Sequence, residues 1–331
     1  MDPMEIDPPL DPLESIAESV SPTIKTSTQP SPVSRRLYAI SDLHLSYKDN
    51  REALYALKPH RNDSIILAGD IGETAEHLST AFAAYKANFD TVWWCPGNHE
   101  LYTLPSERDQ GARGEHKYKA LLEVARQYGV LTPEDPFIKW EGEGGPAIVA
   151  PIFTLYDYSF KPDHVKLEDA VSWAAEENIK ATDEALLHSH PYPTRQDWCA
   201  ALVARTDAKL AETVARNPGV PVILAGHWPL RQELAYLPAI PRFCIWCGTT
   251  KTTDWHTRFG AKVVINGHCH IRRTDWKDGV RFEEVSLGYP KQWEDCRANG
   301  LDINTIMREI LPGPKPPPVG IDVPTQWRRF G

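Results

Sequence analysis

Apolar and polar positions divide this chain into short runs that each end on a polar side chain. The runs are Leu37-Tyr-Ala-Ile-Ser-Asp42-Leu-His44, Ile65-Ile-Leu-Ala-Gly-Asp70, Val92-Trp-Trp-Cys-Pro-Gly-Asn98-His99-Glu100, Val222-Ile-Leu-Ala-Gly-His227 and Val263-Val-Ile-Asn-Gly-His268-Cys-His270. A short run rich in β-branched residues and bounded by Gly or Pro predicts a buried strand. Each strand therefore delivers a carboxylate, an amide or an imidazole where the chain leaves the sheet, the place where α/β sheets bind ligands. Asp42 and His44 are two residues apart and point the same way if the strand continues. His268 and His270 repeat the spacing, with Cys269 facing away.

Between the third and fourth runs the pattern changes. Residues 115–129 predict a helix with Leu121, Leu122 and Ala125 on one face, and 146–155 a core strand. Residues 167–190 and 195–215 predict helices, the second starting at Thr194 as N-cap with Asp197 in its first turn. This helical insertion, about 155–218, is expected to flank the rim of the site, because loops on such scaffolds set specificity.

Length and composition set the frame. The runs span one continuous unit, so the 331 residues predict one large domain over 35–296. Residues 1–34 hold seven prolines and six acids against Lys25, and predict a disordered tail. Residues 297–331 form a C-terminal segment with six prolines from 311 onward, and it too is expected to be disordered there. The tail carries −6 + 1 = −5 of the formal −9, leaving −4 on the rest, which gives no support for nucleic acid as partner. An acidic, proline-rich start and the lack of a membrane-length apolar run predict a cytoplasmic chain with no membrane association. Six cysteines suit a reducing compartment. Cys244-Ile-Trp-Cys247 has no second pair for a zinc ribbon and is read as packing. The seven histidines outside the runs are read as surface or structural, with His188 and His190 near the mouth of the site as the alternative.

The chemistry follows from the donors. Asp42, His44, Asp70, Asn98, His227, His268 and His270 are enough side chains for two metal ions. Two carboxylates against two divalent ions leave a net positive site, which attracts phosphate and lowers the pKa of a bound water. Mixed oxygen and nitrogen donors without thiolate suit Mn, Fe or Zn rather than Ca. His99 follows a proposed ligand directly and is suited to proton transfer near neutral pH. Glu100 either holds and polarises His99 or caps the turn that follows.

The blocks Asp42-Leu-His44, Gly69-Asp70, Gly97-Asn98-His99-Glu100, Gly226-His227 and Gly267-His268-Cys269-His270 resemble, in order, the five blocks of calcineurin-like metallophosphoesterases. The resemblance covers about 36–293 and implies a four-layer αββα sandwich, with two sheets face to face and helices outside. It implies that Asp42, His44 and His270 hold one metal, that Asn98, His227 and His268 hold the other, and that Asp70 bridges them. It also implies that His99 protonates the leaving oxygen, and that the metals are Fe/Mn, with Mn/Mn or a zinc-containing pair as alternatives. One departure is Trp228 after the fourth-block histidine, expected to shape the pocket.

Further stretches are similar to an actinobacterial and fungal subfamily that includes the 4′-phosphopantetheinyl hydrolases. They are Leu155–Phe160, Asp183–His188, Tyr192–Cys199, Trp246–His256 and Gly279–Pro290. That resemblance implies phosphodiester hydrolysis that removes 4′-phosphopantetheine from holo-acyl carrier protein. An acidic carrier protein would call for a basic docking surface. Arg231, Arg242, Lys251, Arg258, Arg272 and Arg273 are the residues expected to form it. Three other readings stay open: a phosphomonoesterase acting on phosphoproteins or metabolites, a nucleotide phosphodiesterase, and a non-catalytic scaffold. The presence of all seven donors counts against the scaffold.

Overall fold

The computed structural model describes residues 34–110, 112–318 and 323–328; the expectation for the N-terminal tail lies outside them. In chain order the strands are β1 (Leu37–Ile40), β2 (His60–Ala68), β3 (Phe89–Cys95), β4 (Ile138–Trp140), β5 (Ala147–Pro151), β6 (Val222–Ala225), β7 (Ala261–Asn266), β8 (Arg273–Lys277), β9 (Val280–Glu284), β10 (Arg308–Leu311) and β11 (Gln326–Trp327). They build two sheets, one of order β10-β1-β2-β3 and one of order β11-β8-β9-β7-β6-β5-β4. β1, β2 and β3 run parallel, as do β5, β6, β7 and β9; β4, β8, β10 and β11 pair antiparallel at or near the edges.

Successive strand residues enter different cores, as the two-residue period of a strand requires. Ile65, Leu67, Val92, Trp94, Ile148 and Ala150 pack with helix residues such as Leu78, Phe82, Trp198 and Leu202. Ile66, Ala68, Trp93, Cys95, Val149, Ile223 and Val263 pack against one another between the sheets. Both faces of each central strand are therefore buried, which is why these strands read as unbroken apolar runs. The result is the expected αββα order of layers. The long helices are Ala75–Asn88, Glu115–Gln127 and Arg195–Arg216. The third starts where expected: the Thr194 side chain accepts from the N–H of Asp197.

Two expectations need correction. Residues 167–190 do not form one helix. They break into a turn at Leu167–Asp169 and short helices Ala170–Ala175 and Asp183–Leu186. Asn178 adopts a left-handed φ of 59° between them, which ends the first helix. The C-terminal segment also belongs to the body: β10 pairs with β1, and β11 with β8. The expectation of disorder from 311 therefore fails for the described part. Its docking has an electrostatic basis. Glu283 of β9 is fully buried and is met by Arg308 at 2.8 Å, by Arg281 at 3.2 Å and by Arg328. A buried carboxylate needs such partners, and two of the three come from beyond residue 300.

Candidate metal centre and active site

The two sheets touch at one end. Beyond β1, the Ser41 N–H donates to the Val285 carbonyl at 3.1 Å, and the Leu287 N–H donates to the Ser41 carbonyl at 2.9 Å. The donors sit around this junction. Their convergence differs from the expected continued strand: Asp42, His44, Asp70, His268 and His270 all have left-handed φ, between 43° and 70°. Tight turns, not strand alternation, aim these side chains. Such backbone is strained for non-glycine residues and is a feature of functional sites. Two glycines permit the close packing. A Cβ on Gly97 would lie 2.2 Å from Asp70 Oδ1, and one on Gly267 would lie 2.3 Å from Asp42 Oδ2. Cys269, expected to face away, packs in a small cluster with Phe160, Leu237 and Cys247, and it also lines the donor pocket.

The seven donors fall into two groups. Asp42, His44 and His270 form one, with His44 Nε2 3.1 Å and Asp42 Oδ1 2.9 Å from His270 Nε2. Asp70, His227 and His268 form the other, and Asn98 Oδ1 lies 3.2 Å from His227 Nε2 and 3.1 Å from His268 Nδ1. Asp70 Oδ2 lies between them, 3.3 Å from His227 Nε2 and 4.0 Å from His44 Nε2.

The hydrogen bonds behind the donors show what the centre lacks. His227 donates from Nδ1 to the Ala68 carbonyl at 2.9 Å, and His270 donates from Nδ1 to Gln292 Oε1 at 2.7 Å. Each therefore turns a bare Nε2 inward. Asn98 commits its amide N–H to Asp183 Oδ1 and to the Tyr102 hydroxyl, both at 3.0 Å, and so turns its oxygen inward. Lone pairs face lone pairs at about hydrogen-bond distance, so a proton or a metal cation must sit between them. Burial, followed by neighbouring positive charge, holds His44 and His268 down to about 3, so both are neutral donors. Burial also opposes charge on His227 and His270, yet Asp70 lifts the first to about 10 and Asp42 raises the second. The carboxylates call for positive charge at both groups. The residues fit two metal ions.

His99 lines the same pocket. Its Nδ1 is 3.0 Å from Glu73 Oε1, and its Nε2 is 3.9 Å from Asp70 Oδ2. Burial disfavours its charged form, but Asp70 and Glu73 outweigh burial and hold it at about 9. The place expected for Glu100 thus belongs to Glu73. Glu100 is fully buried and accepts from the N–H groups of Gly97 at 2.8 Å, Asp70 at 2.9 Å and Ile71 at 2.7 Å. It braces the two donor loops from behind instead of taking the catalytic place beside His99 that was expected for it. Trp228 also stays out of the pocket. It is 1 % exposed and packs edge-on to His227, with ring centroids 5.1 Å apart.

The pocket has a volume of about 310 Å³. Lys180, Ala181, Thr182 and Asp183 of the insertion line it, as do Leu237, Ile240 and Phe243 of a later loop. The basic residues expected to dock a partner are occupied elsewhere. Arg231 pairs with Glu233 and Asp278, Arg242 with Glu176 and Glu177, Lys251 with Asp157, Arg258 with Asp207 and Asp254, and Arg273 with Asp275. Arg272 donates to the carbonyls of Ser286, Leu287 and Gln292. Lys180 is the rim cation that makes no ion pair among the described residues.

A two-sheet sandwich with paired donor groups at the strand ends is the architecture of a metallophosphoesterase. The family pattern for calcineurin-like phosphoesterases matches residues 35–272, and the chain belongs to that family. Over 283 residues it is 42 % identical to the [acyl-carrier-protein] phosphodiesterase PptH of Mycobacterium tuberculosis, covering 84 % of each chain. The crystal structure of that phosphopantetheinyl hydrolase superposes with a TM-score of 0.79 at 41 % identity, covering 85 % of this chain and 97 % of the other. The 3′,5′-cyclic adenosine monophosphate phosphodiesterase CpdA of Escherichia coli is 24 % identical over 224 residues, 60 % of this chain and 70 % of that one. No helix among the described residues is long and apolar enough to cross a membrane.

Proposed function

We propose that the chain is a dinuclear-metal phosphodiester hydrolase that removes 4′-phosphopantetheine from a holo-acyl carrier protein and leaves the apo carrier protein. The observation that carries this reading is the 42 % identity with an acyl-carrier-protein phosphodiesterase over 84 % of both chains. That match, over 283 residues, is longer than the 35–272 span of the family pattern, so it reaches beyond the part of the chain that carries the donor blocks.

Asp42, His44 and His270 would hold one ion, Asn98, His227 and His268 the other, with Asp70 shared. When bound, the pair supplies positive charge for the phosphoryl oxygens and a water of lowered pKa; Fe with Mn is the pair proposed, with Mn/Mn or a zinc-containing pair as alternatives. His99, held at Nδ1 by Glu73, turns Nε2 to the departing oxygen. The bond from phosphorus to the serine Oγ breaks and His99 Nε2 gives its proton to that oxygen. The water oxygen bonds to phosphorus as hydroxide, its other proton lost to solvent, and His99 takes a proton back from solvent. The products are 4′-phosphopantetheine and the free serine of the carrier. Six free cysteines support a reducing compartment, and the cytoplasm is the location proposed.

Intact-mass analysis of a holo-carrier protein after incubation with metal-loaded enzyme tests the reading. The expected result is a loss equal to the phosphopantetheinyl group. Turnover of a phosphomonoester or a cyclic nucleotide with an intact holo-carrier would refute it and favour one of the other two enzyme readings.

A further inference from the structure

The pocket lining is of mixed character. Metal donors, Lys180 and Asp183 supply polar surface; Leu237, Ile240 and Phe243 supply an apolar patch of wall. The apolar wall adjoins one donor group. Phe243 lies on the turn Pro241–Trp246, and its ring stacks on His268 with centroids 5.8 Å apart and 27° between planes. Ile240, one turn away, is 39 % exposed at the pocket mouth. The His99 ring lies 4.6 Å from that of His44, a donor of the other group, with its Nε2 3.9 Å from the shared Asp70. The phosphate needs no apolar surface, so the wall serves a substituent of the phosphate, at the end away from the departing oxygen.

We infer that Phe243 and Ile240 are specificity-determining residues that recognise the geminal dimethyl group of the pantoyl unit. The inference rests on the proposed reaction. In 4′-phosphopantetheine a quaternary carbon carrying two methyls lies two bonds from the ester oxygen and three from phosphorus. Once phosphorus sits over the donors, these methyls must lie beside the metal centre, however the rest of the arm turns. The carrier serine, as leaving group, points to His99; the pantoyl carbon takes the His268 side, where Phe243 and Ile240 present ring and aliphatic surface. The wall is then a gauge of branching next to the phosphate. Unbranched diesters leave it uncovered and forgo its contribution, whereas the dimethyl carbon fills it. An apolar pocket discriminates a missing methyl group by roughly 10–200-fold, and a partly open wall belongs at the lower end of that range.

The test uses one carrier protein bearing either the natural arm or an arm in which both methyls are replaced by hydrogen. The metal-loaded enzyme should cleave the natural form about 10–100-fold better in kcat/KM. Phe243→Ala and Ile240→Ala should each shrink that ratio, and because it is a ratio within one enzyme preparation it is independent of active fraction. Ile240 is half exposed at the rim, so its variant keeps the test available if Phe243→Ala misfolds. Binding gives a second readout: by calorimetry, free 4′-phosphopantetheine should bind tighter than its desmethyl analogue to the wild type, and the gap should narrow in both variants. Equal cleavage of the two carriers by the wild type, or an undiminished ratio in both variants, would overturn the inference alone. Cleavage of neither carrier would overturn the proposed reaction and the inference together.

Discussion

Replacing Glu73 with alanine should disable the leaving-group acid while sparing the metals. Glu73 Oε1 lies 3.0 Å from His99 Nδ1, and its other oxygen is 3.5 Å from His77 Nδ1. Burial raises the Glu73 carboxyl, but the hydrogen bonds from His77 and His99 outweigh it and keep the group ionised. Without that carboxylate the imidazole loses the acceptor that fixes its ring and the charge that favours its protonated form. A carboxylate that orients an imidazole is worth about 10–100-fold, or about 1.4–2.8 kcal/mol of transition-state free energy. Complete loss of a general acid costs on the order of 10²–10⁴-fold. Glu73→Ala should therefore slow holo-carrier cleavage by about 10–100-fold and His99→Asn by more. Both should do much less to a nitrophenyl diester, whose phenolate leaves without a proton. The pair Glu73→Ala/His99→Asn should be no slower than His99→Asn alone, because the two residues act as one unit. Intact-mass kinetics on the carrier and absorbance on the nitrophenyl ester give the rates, and elemental analysis gives the metals. Equal losses on both substrates, additive losses in the double variant, or metal lost from Glu73→Ala would each refute the reasoning.

Asp70→Asn should lower the content of both metals and nearly abolish turnover, since Asp70 lies between the two donor groups; a variant that retains two ions per chain by elemental analysis would contradict this. Asp183→Ala should weaken the ion held through Asn98, whereas Asp183→Asn, which keeps an oxygen for the Asn98 amide and the Tyr102 hydroxyl, should restore much of the occupancy; identical metal titrations for the two variants would show that Asp183 does not act through Asn98. Arg328→Ala removes one of three arginines from buried Glu283 and should cost about 1–3 kcal/mol, read as a shift in urea midpoint, and an unchanged midpoint would mean that Arg281 and Arg308 suffice.

The donors were legible because each stands at the end of an apolar run, a pattern that both strand burial and sheet-end chemistry impose. The partners behind them were not. Glu73 reaches His99 across 26 positions, Asp183 reaches Asn98 across 85, and Gln292 reaches His270 across 22. A single acid or amide without periodicity gives no sign of such a contact. Adjacency misled at Glu100: sequence proximity to His99 suggested contact, but the short helix Asn98–Leu101 turns the carboxylate back to the backbone of Gly97, Asp70 and Ile71. Proline content misled beyond 311, because strand pairing at a sheet edge needs only the two residues Gln326–Trp327. The apolar wall around Phe243 was invisible for another reason: Leu237, Ile240 and Phe243 belong to no strand or long helix, so no period marks their common face.

The position of β10 has a consequence for how the protein is made. β10 hydrogen-bonds to β1, yet in sequence it follows every strand of the second sheet except β11. A ribosome therefore releases β1, β2 and β3 early and withholds their neighbour until the partner sheet is nearly synthesised. Throughout that interval the β1 edge has unpaired N–H and carbonyl groups, a surface that can pair with other chains. The nascent protein must keep one edge waiting for most of its translation, and residues 308–311 act as the clasp that shuts it.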